Sequence, residues 1–169
     1  LDNKIYWTSY EGRYLEVIDC NQDSVIKIMP IDSIPCWLAW NPMGNKLYVT
    51  AVTGILEAKT YIMNCSNDSI IGEISPAGPS IWTSKYNKLY IDGGDSIVGR
   101  GIIVIDCYGD SIINRIKIPD IVDYYIFFLY NAAVNKLYAG YSPIGTYIIN
   151  GDRDSIETRW CYCPSDLIW

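Results

Sequence analysis

The hydrophobic positions of this chain fall into short runs separated by clusters of Gly, Pro, Asn and Asp. The runs are rich in Ile, Val, Tyr and Trp, which are residues that favour β-strands. Four such runs follow one another at 37–40, 45–50, 60–64 and 70–74, and 112–118 alternates apolar with polar residues. No long segment has the 3.6-residue period of an amphipathic helix. The pattern therefore predicts an all-β protein.

Two short phrases recur in step along the chain, each of them four times. The first is Asn-Lys-Ile/Leu-Tyr, spaced by 42, 42 and 48 residues, and it begins at Asn3, Asn45, Asn87 and Asn135. The second is Asp-Ser followed by Val or Ile, spaced by 45, 42 and 44 residues, and it begins at Asp23, Asp68, Asp110 and Asp154. Repeats of about 40–45 residues made of short strands are typical of the blades of a β-propeller.

The repeat has a family resemblance. Residues 45–50 (Asn-Lys-Leu-Tyr-Val-Thr), preceded by Pro35 and the turn 41–44 (Asn-Pro-Met-Gly), resemble the YVTN β-propeller repeat. The run from Val17 to Ile26 is similar to the same repeat, and the resemblance covers essentially the whole chain. The fourth repeat departs from it, with Asn150-Gly151 where the others end on a cysteine. The resemblance implies a propeller scaffold, often found in secreted or cell-surface proteins of archaea and bacteria, and it implies no catalytic residues.

Counting strand-sized runs from the axis outward predicts four blades and 16 strands. The blades at 35–78, 79–121 and 122–163 each supply four strands, whereas 1–34 supplies three and lacks an inner one. Residues 164–169 align with 35–40 and would provide the missing strand, through Asp166, Leu167, Ile168 and Trp169. We therefore expect a single-domain, four-bladed β-propeller closed by a 3+1 blade. The same strand could enter a neighbouring subunit instead, and a segment of a larger propeller is the alternative to a closed ring.

Large aromatic residues concentrate on the predicted inner strands, at Trp37, Trp40, Trp82, Trp169 and 124–130. We expect these rings to fill the wedges between four widely splayed blades as part of the core. A sugar-binding aromatic platform is the alternative interpretation.

Composition narrows the chemistry. The chain has 169 residues and no histidine, which excludes Ser-His-Asp and Cys-His nucleophiles and imidazole metal sites. The net charge of −6 argues against nucleic acid as a partner. No apolar run approaches the roughly 20 residues of a membrane-spanning helix, so we expect no membrane insertion. We expect no catalytic residues, no cofactor and no metal site, although a carboxylate pair involving Asp123 and Asp166 stays open for glycoside chemistry.

Six cysteines give the chain its most specific hypothesis. Cys20, Cys65 and Cys107 share one repeat position at the strand C–D turn, on the face of the disc opposite Cys36, Cys161 and Cys163. Equivalent turns would lie on the order of 20 Å apart, whereas a disulfide needs Cα atoms within about 7 Å. We therefore expect disulfides between molecules, joining unlike faces head to tail into a filament. Cys36 could also pair with Cys161 or Cys163, and small buried thiols at a tight turn are the alternative for the first set.

The remaining signals suggest export. An even cysteine count fits an oxidising compartment, and a chain that starts at Leu1 resembles a mature product or a cropped segment. Overlapping sequons make Asn64 and Asn67 candidates for glycosylation. The sequence thus predicts an extracellular or cell-surface structural protein whose partner is a further copy of itself. A monomeric binding module for a glycan or a protein is the alternative.

Overall fold

A computed structural model of the protein describes residues 3–9, 11–52, 58–95, 97, 99–119, 126–142 and 145–160. These residues form fifteen β-strands, arranged as antiparallel meanders in which each strand pairs with the next one along the chain. The chain divides into two units, Leu1–Gly78 and Pro79–Trp169, at the position where the sequence predicts the boundary between the second and third blades. Within the described segments, no helix has the length and apolar character needed to cross a membrane.

The first unit contains a three-stranded and a four-stranded sheet. The first sheet has the order β1-β2-β3, with strands at Lys4–Ser9, Tyr14–Asp19 and Ser24–Pro30. The second sheet has the order β4-β5-β6-β7, with strands at Ile34–Asn41, Lys46–Val52, Ala58–Asn64 and Ser69–Ile74. The strands predicted at 37–40, 45–50, 60–64 and 70–74 are confirmed, with ends that shift by up to three residues.

The second unit contains two four-stranded sheets. The third sheet of the molecule is β8-β9-β10-β11, at Ser80–Thr83, Lys88–Asp95, Gly99–Asp106 and Ser111–Lys117. The fourth sheet is β12-β13-β14-β15, at Ile126–Asn131, Lys136–Tyr141, Gly145–Asn150 and Ser155–Trp160. The inner strand β8 ends at Thr83, three residues short of the predicted end at Tyr86, because 84–87 form the turn into β9.

The repeated phrases mark the turns. The Asp of Asp-Ser is the last turn residue before each outer strand, and its φ is positive in all four copies. Asn45, Asn87 and Asn135 occupy the same left-handed conformation in the turns before β5, β9 and β13. Asn and Asp tolerate this conformation better than other residues with a side chain, so the repeat retains them there for backbone reasons.

A second regularity ties the two turns of each repeat together. The N–H of the first residue of the outer turn donates to the carbonyl of the repeat asparagine at 2.9 Å, in the pairs Cys20–Asn3, Cys65–Asn45, Cys107–Asn87 and Gly151–Asn135. Each outer strand also holds one extra residue opposite its neighbour, at Ile26, Ile71, Ile113 and Glu157. Such a bulge bends and twists an edge strand. The predicted equivalence of Cys20, Cys65 and Cys107 is therefore confirmed.

The core of each unit lies between its two sheets. In the first unit it is built from Leu15, Val17, Leu47, Val49 and Met63, and in the second from the equivalent positions of β9, β10, β13 and β14. These alternate positions face one side of each strand, which is the pattern expected of packed sheets.

The expectation that inner-strand aromatics fill the core is wrong for three residues. Trp37, Trp40 and Phe127 are 41%, 39% and 37% exposed, whereas the large buried rings are Tyr48, Tyr90, Tyr141 and Tyr147 on the second and third strands of their sheets. The middle strands pack on neighbouring sheets, so they take the core positions. Trp169 and the predicted inner-strand residues 124 and 125 lie outside the described residues.

Candidate functional site

One buried aspartate in each unit joins the two sheets. In the second unit, Lys88 Nζ lies 2.6 Å from Asp154 Oδ2, and the Tyr90 hydroxyl donates to Asp154 Oδ1. Lys88 and Asp154 have side chains that are only 11% and 10% exposed. The Asp154 carbonyl also accepts a hydrogen bond from Asn114 Nδ2 at 2.9 Å. We call Lys88, Tyr90 and Asp154 the second latch.

The first unit repeats this arrangement. Lys4 Nζ lies 2.9 Å from Asp68 Oδ2, and the Tyr6 hydroxyl donates to Asp68 Oδ1 at 2.7 Å. Lys27 Nζ takes the place of the Asn114 amide and donates to the Asp68 carbonyl at 2.6 Å. We call Lys4, Tyr6 and Asp68 the first latch. Each latch joins the strand that carries the Lys-Ile/Leu-Tyr phrase, β1 or β9, to the outer turn of the sheet that follows it in the chain.

The sequence builds the latches from its two phrases. The Lys and Tyr of Asn-Lys-Ile/Leu-Tyr are two residues apart on a strand, so both point to the same face, toward the next sheet. The Asp of Asp-Ser sits at the left-handed turn position, which aims its carboxylate back at that face. The two phrases that define the repeat are thus the two halves of one contact between sheets.

The electrostatics of the latches favour a fixed contact over acid–base chemistry. Burial, followed by the hydrogen bond to the aspartate, raises the pKa of Tyr6 and of Tyr90 far above the ordinary value of a phenol. Both hydroxyls therefore stay protonated at neutral pH and act as donors. A phenol held in its protonated form donates a hydrogen bond to the aspartate and so helps to fix the contact between the sheets.

A cavity of about 280 Å³ lies beside the first latch, between the first and second sheets. Its wall combines apolar side chains with one thiol, one amide and the two donors of the latch: Lys4, Tyr6, Leu38, Trp40, Asn45, Leu47 and Cys65. The cavity adjoins β1, the strand that has no partner on its inner side in the described part of the first sheet. It is large enough to receive side chains of an added segment.

The described cysteines divide into two classes. Cys65 is 4% exposed and Cys107 is 1% exposed, whereas Cys20 and Cys36 are only partly buried. No disulfide joins any of these four residues to another. Burial raises the pKa of the Cys65 and Cys36 thiols, which lowers their thiolate fraction and slows disulfide exchange. A second molecule can thus reach Cys20 and Cys36 more easily than Cys65 or Cys107.

The fourth repeat lacks the turn cysteine for a packing reason. A Cβ at Gly151 would lie 2.6 Å from the side-chain oxygen of Asn135. That side chain is held in place by the Tyr130 hydroxyl at 2.9 Å and by Asp152 at 2.8 Å. In the fourth repeat, the Asn135 side chain therefore occupies the space that a cysteine side chain at position 151 would need.

The two candidate glycosylation sites differ in access. Asn67 is exposed in the turn 65–68, and its side-chain oxygen accepts a hydrogen bond from Ser69 Oγ at 2.7 Å. Asn64 is half-buried at the end of β6, and its side-chain oxygen caps the turn by accepting from the Ser66 N–H at 2.8 Å. Of the two, Asn67 is the more accessible acceptor, and modification of either stays a prediction.

Several predicted site residues carry no chemistry that the described structure reveals. Asp19 and Asp106, which are also acidic residues at outer turns, accept hydrogen bonds from backbone N–H groups of their own turns. No group of three or more Cys, Asp or Glu residues in the described segments is placed to bind a metal ion. Cys161, Cys163, Asp123 and Asp166–Trp169 lie outside the described residues.

The latches are the feature that sequence reasoning missed. The phrases are visible as repeats, but a repeat does not show which of its side chains touch the neighbouring unit. The available signal was that a lysine and an aspartate, both costly to bury, recur at fixed positions inside a hydrophobic strand and a tight turn.

Comparison with known proteins supports the fold and assigns neither a family nor a function. No protein-family model and no curated protein sequence matches the chain. Among solved structures, it resembles a hydrazine synthase of Kuenenia stuttgartiensis, with a TM-score of 0.74 and 16% identity over 93% of this chain and 45% of that one. It also resembles the WD40 domain of Toxoplasma gondii coronin, with a TM-score of 0.75 and 11% identity over 96% of this chain and 43% of that one.

These similarities agree with the sheets described above. The protein has a propeller-like all-β fold. It spans less than half the length of each of the two structures it resembles. Because one fold serves many functions, neither similarity assigns an activity.

The second latch gives a prediction on stability. We expect Asp154→Ala to lower the free energy of unfolding by about 4 kcal/mol: about 3 kcal/mol because the buried Lys88 ammonium loses its carboxylate, and about 1 kcal/mol because alanine is placed at a left-handed backbone position. The double variant Lys88→Met, Asp154→Leu removes both charges and should lose less than the single variant. Urea unfolding measures both.

The exposed pair Lys59–Glu73 is the matched control, since its side chains are 48% and 55% exposed. Glu73→Ala should cost less than about 1 kcal/mol. Equal losses for Asp154→Ala and Glu73→Ala would contradict the role assigned to the latch.

Proposed function

We propose that this protein is a structural, self-assembling extracellular protein built on a four-bladed β-propeller of the YVTN type. The observation that carries the proposal is the first sheet, where β1 has no inner neighbour among the described residues although β4, β8 and β12 fill that place in the other sheets. An open edge with an apolar cavity beside it is a place for a strand to be added. The added strand is the proposed fourth strand of a 3+1 blade.

Residues 164–169 suit this place by sequence. The residue opposite the tyrosine of the repeat is apolar in the other three sheets, in the pairs Ala39–Tyr48, Ile81–Tyr90 and Leu129–Tyr138. The alignment of 164–169 with 35–40 puts Ile168 opposite Tyr6. Ile168 would then enter the cavity that Tyr6 lines, from the same chain or from a second copy.

The burial of the cysteines supports cross-linking through fewer of them than the sequence suggests. Cys20 and Cys36 are both partly buried, and the sequence predicts them on opposite faces of the disc. A Cys20–Cys36 disulfide between copies would therefore still join the copies head to tail. The burial of Cys65 and Cys107 favours the alternative of inert thiols for these two residues. We propose extracellular polymerisation through Cys20, Cys36, Cys161 or Cys163, with no catalytic role.

A binding module is the second candidate. The hairpin of β9 and β10 has two eight-residue strands and is the longest of the described hairpins. It carries Asp92, whose carboxylate accepts from the Tyr141 hydroxyl at 2.9 Å and whose pKa is raised by burial. Such polar groups could contact a glycan or a protein. Electron microscopy of the untreated protein separates the candidates, because separate particles favour binding and long fibres favour the structural role.

The strand proposal makes a prediction for Ile168. Replacing it with alanine should lower the free energy of unfolding by about 2 kcal/mol or more, because a filled cavity would be partly emptied. Val134→Ala, at an exposed turn position, is the control and should cost less than about 0.5 kcal/mol. If the strand comes from a second copy, Tm also rises with protein concentration. No change on Ile168→Ala would contradict the proposal.

The cross-linking proposal predicts a ladder on a gel. Native protein run without reductant should give bands at multiples of 19.2 kDa, and reductant should collapse them to one. Cys20→Ser should remove or shorten the ladder, whereas the matched variant Cys107→Ser should leave it unchanged, because Cys107 is buried. A single monomer band in both lanes would show that the cross-linking proposal is wrong.

A further inference from the structure

Three outer strands expose β-branched aliphatic side chains. Ile70 and Ile71 of β7 are 43% and 52% exposed, Ile112 and Ile113 of β11 are 37% and 49% exposed, and Val25, Ile26 and Ile28 of β3 are 48%, 47% and 58% exposed. Outer strands that face water ordinarily carry Thr, Lys or Glu at such positions. Exposure of an isoleucine side chain to water is unfavourable, and burial of that side chain against another molecule would remove the cost.

The backbone edges beside these residues are also open. The second sheet ends at β7 and the third ends at β11, so the outer backbone groups of both strands lack a strand partner in the described part of the chain. β7 holds a single charged residue, Glu73, and Lys59 of its own sheet binds that carboxylate at 3.1 Å. An edge with so little charge is a template for strand addition.

The two strands match each other in backbone shape. Both contain one extra residue at the same place, Ile71 in β7 and Ile113 in β11. A bulged strand fits poorly against a regular one, because the bulge bends and twists it. Two parallel strands that are aligned at the same bulge bend at the same place, so they can stay paired along their length.

That parallel alignment also matches the side chains. It sets Ile70 beside Ile112, Ile71 beside Ile113, and the acidic Glu73 beside the basic Arg115. Antiparallel pairing that keeps Glu73 opposite Arg115 would instead place Ile71 opposite Lys117. Adjacent residues on parallel strands share a face, so the parallel register pairs like apolar groups and unlike charges at once.

Other outer-strand combinations fit less well. Two copies of β7 would set Glu73 against Glu73, β3 would set Ile28 against Glu73, and β15 would set Glu157 against Ile71. Like charges and a charge facing an isoleucine both oppose association. Of the pairs that include β7, the combination with β11 alone joins isoleucine to isoleucine and acid to base.

We propose that β7 of one copy pairs in parallel with β11 of a second copy, which joins two sheets into one across the interface. The inference rests on the proposed self-assembly and names the surface that performs it. Because β7 and β11 are different surfaces, a pair of copies still has one unpaired β11 and one unpaired β7. Such a heterologous contact repeats from copy to copy, and it gives a ring if the rotation closes and an open chain if it does not.

Two lysine variants of the full chain test the contact, in reductant so that thiols do not contribute. Ile71→Lys spoils β7 and leaves β11 intact, whereas Ile113→Lys does the reverse. Each variant alone should need at least about tenfold more protein to assemble than the wild type in analytical ultracentrifugation. A mixture of the two should give dimers that grow no further, because each dimer joins one intact β7 to one intact β11. Val134→Lys, which adds the same charge at an exposed turn, should assemble as the wild type does.

The outcomes separate this inference from the proposed function. If the wild type assembles and both lysine variants assemble equally well, the β7–β11 contact is wrong and self-assembly through another surface stands. The same holds if the mixture stays monomeric while the wild type forms chains. If the wild type is monomeric in and out of reductant, self-assembly itself is wrong. Circular dichroism of each variant checks that the strands remain folded.

Discussion

The buried aspartate of the outer turn is the group on which the described architecture depends. A carboxylate that is about one-tenth exposed is costly without a cation and donors, and its own sheet does not supply them to Asp68 or Asp154. The preceding sheet does, through one lysine and one tyrosine. Within each unit, the carboxylate at the outer turn of the second sheet is thus neutralised by the sheet that precedes it. This is the polar counterpart of the apolar surface that repeat units bury against their neighbours.

Much of the fold could be predicted from local sequence. Strand positions followed from apolar runs, and the turns followed from Asn and Asp at positions that need a left-handed backbone, as at Asn87 and Asp110. What could not be predicted depends on contacts between elements distant in the chain. Trp37 and Trp40 have the composition of core residues, but the packing of the middle strands leaves them exposed. The latches were missed for the same reason, since the partner of Asp154 lies 66 residues away at Lys88.

The same packing changes how the candidate functional residues should be viewed. The three cysteines of one repeat position are equivalent in the backbone, yet Cys65 and Cys107 are buried and Cys20 is partly accessible. Equivalence in sequence therefore does not carry equivalence in chemistry. Among the described residues, the inner edge of β1 and the isoleucine-bearing outer edges lack a strand partner, and the thiols of Cys20 and Cys36 are partly accessible. These features are the basis of the proposed structural role.

Hydrogen–deuterium exchange tests the central claim most directly, namely that Asp68 and Asp154 are each held by the sheet that precedes theirs. The comparison is between the wild type and the double variant Lys88→Met, Tyr90→Phe, which keeps the bulk of both side chains. The account predicts faster exchange of the backbone amides at 151–156, in the next sheet, with the turn 107–110 of the variant's own sheet unchanged. Faster exchange confined to the variant's own sheet, with 151–156 as protected as in the wild type, would contradict it.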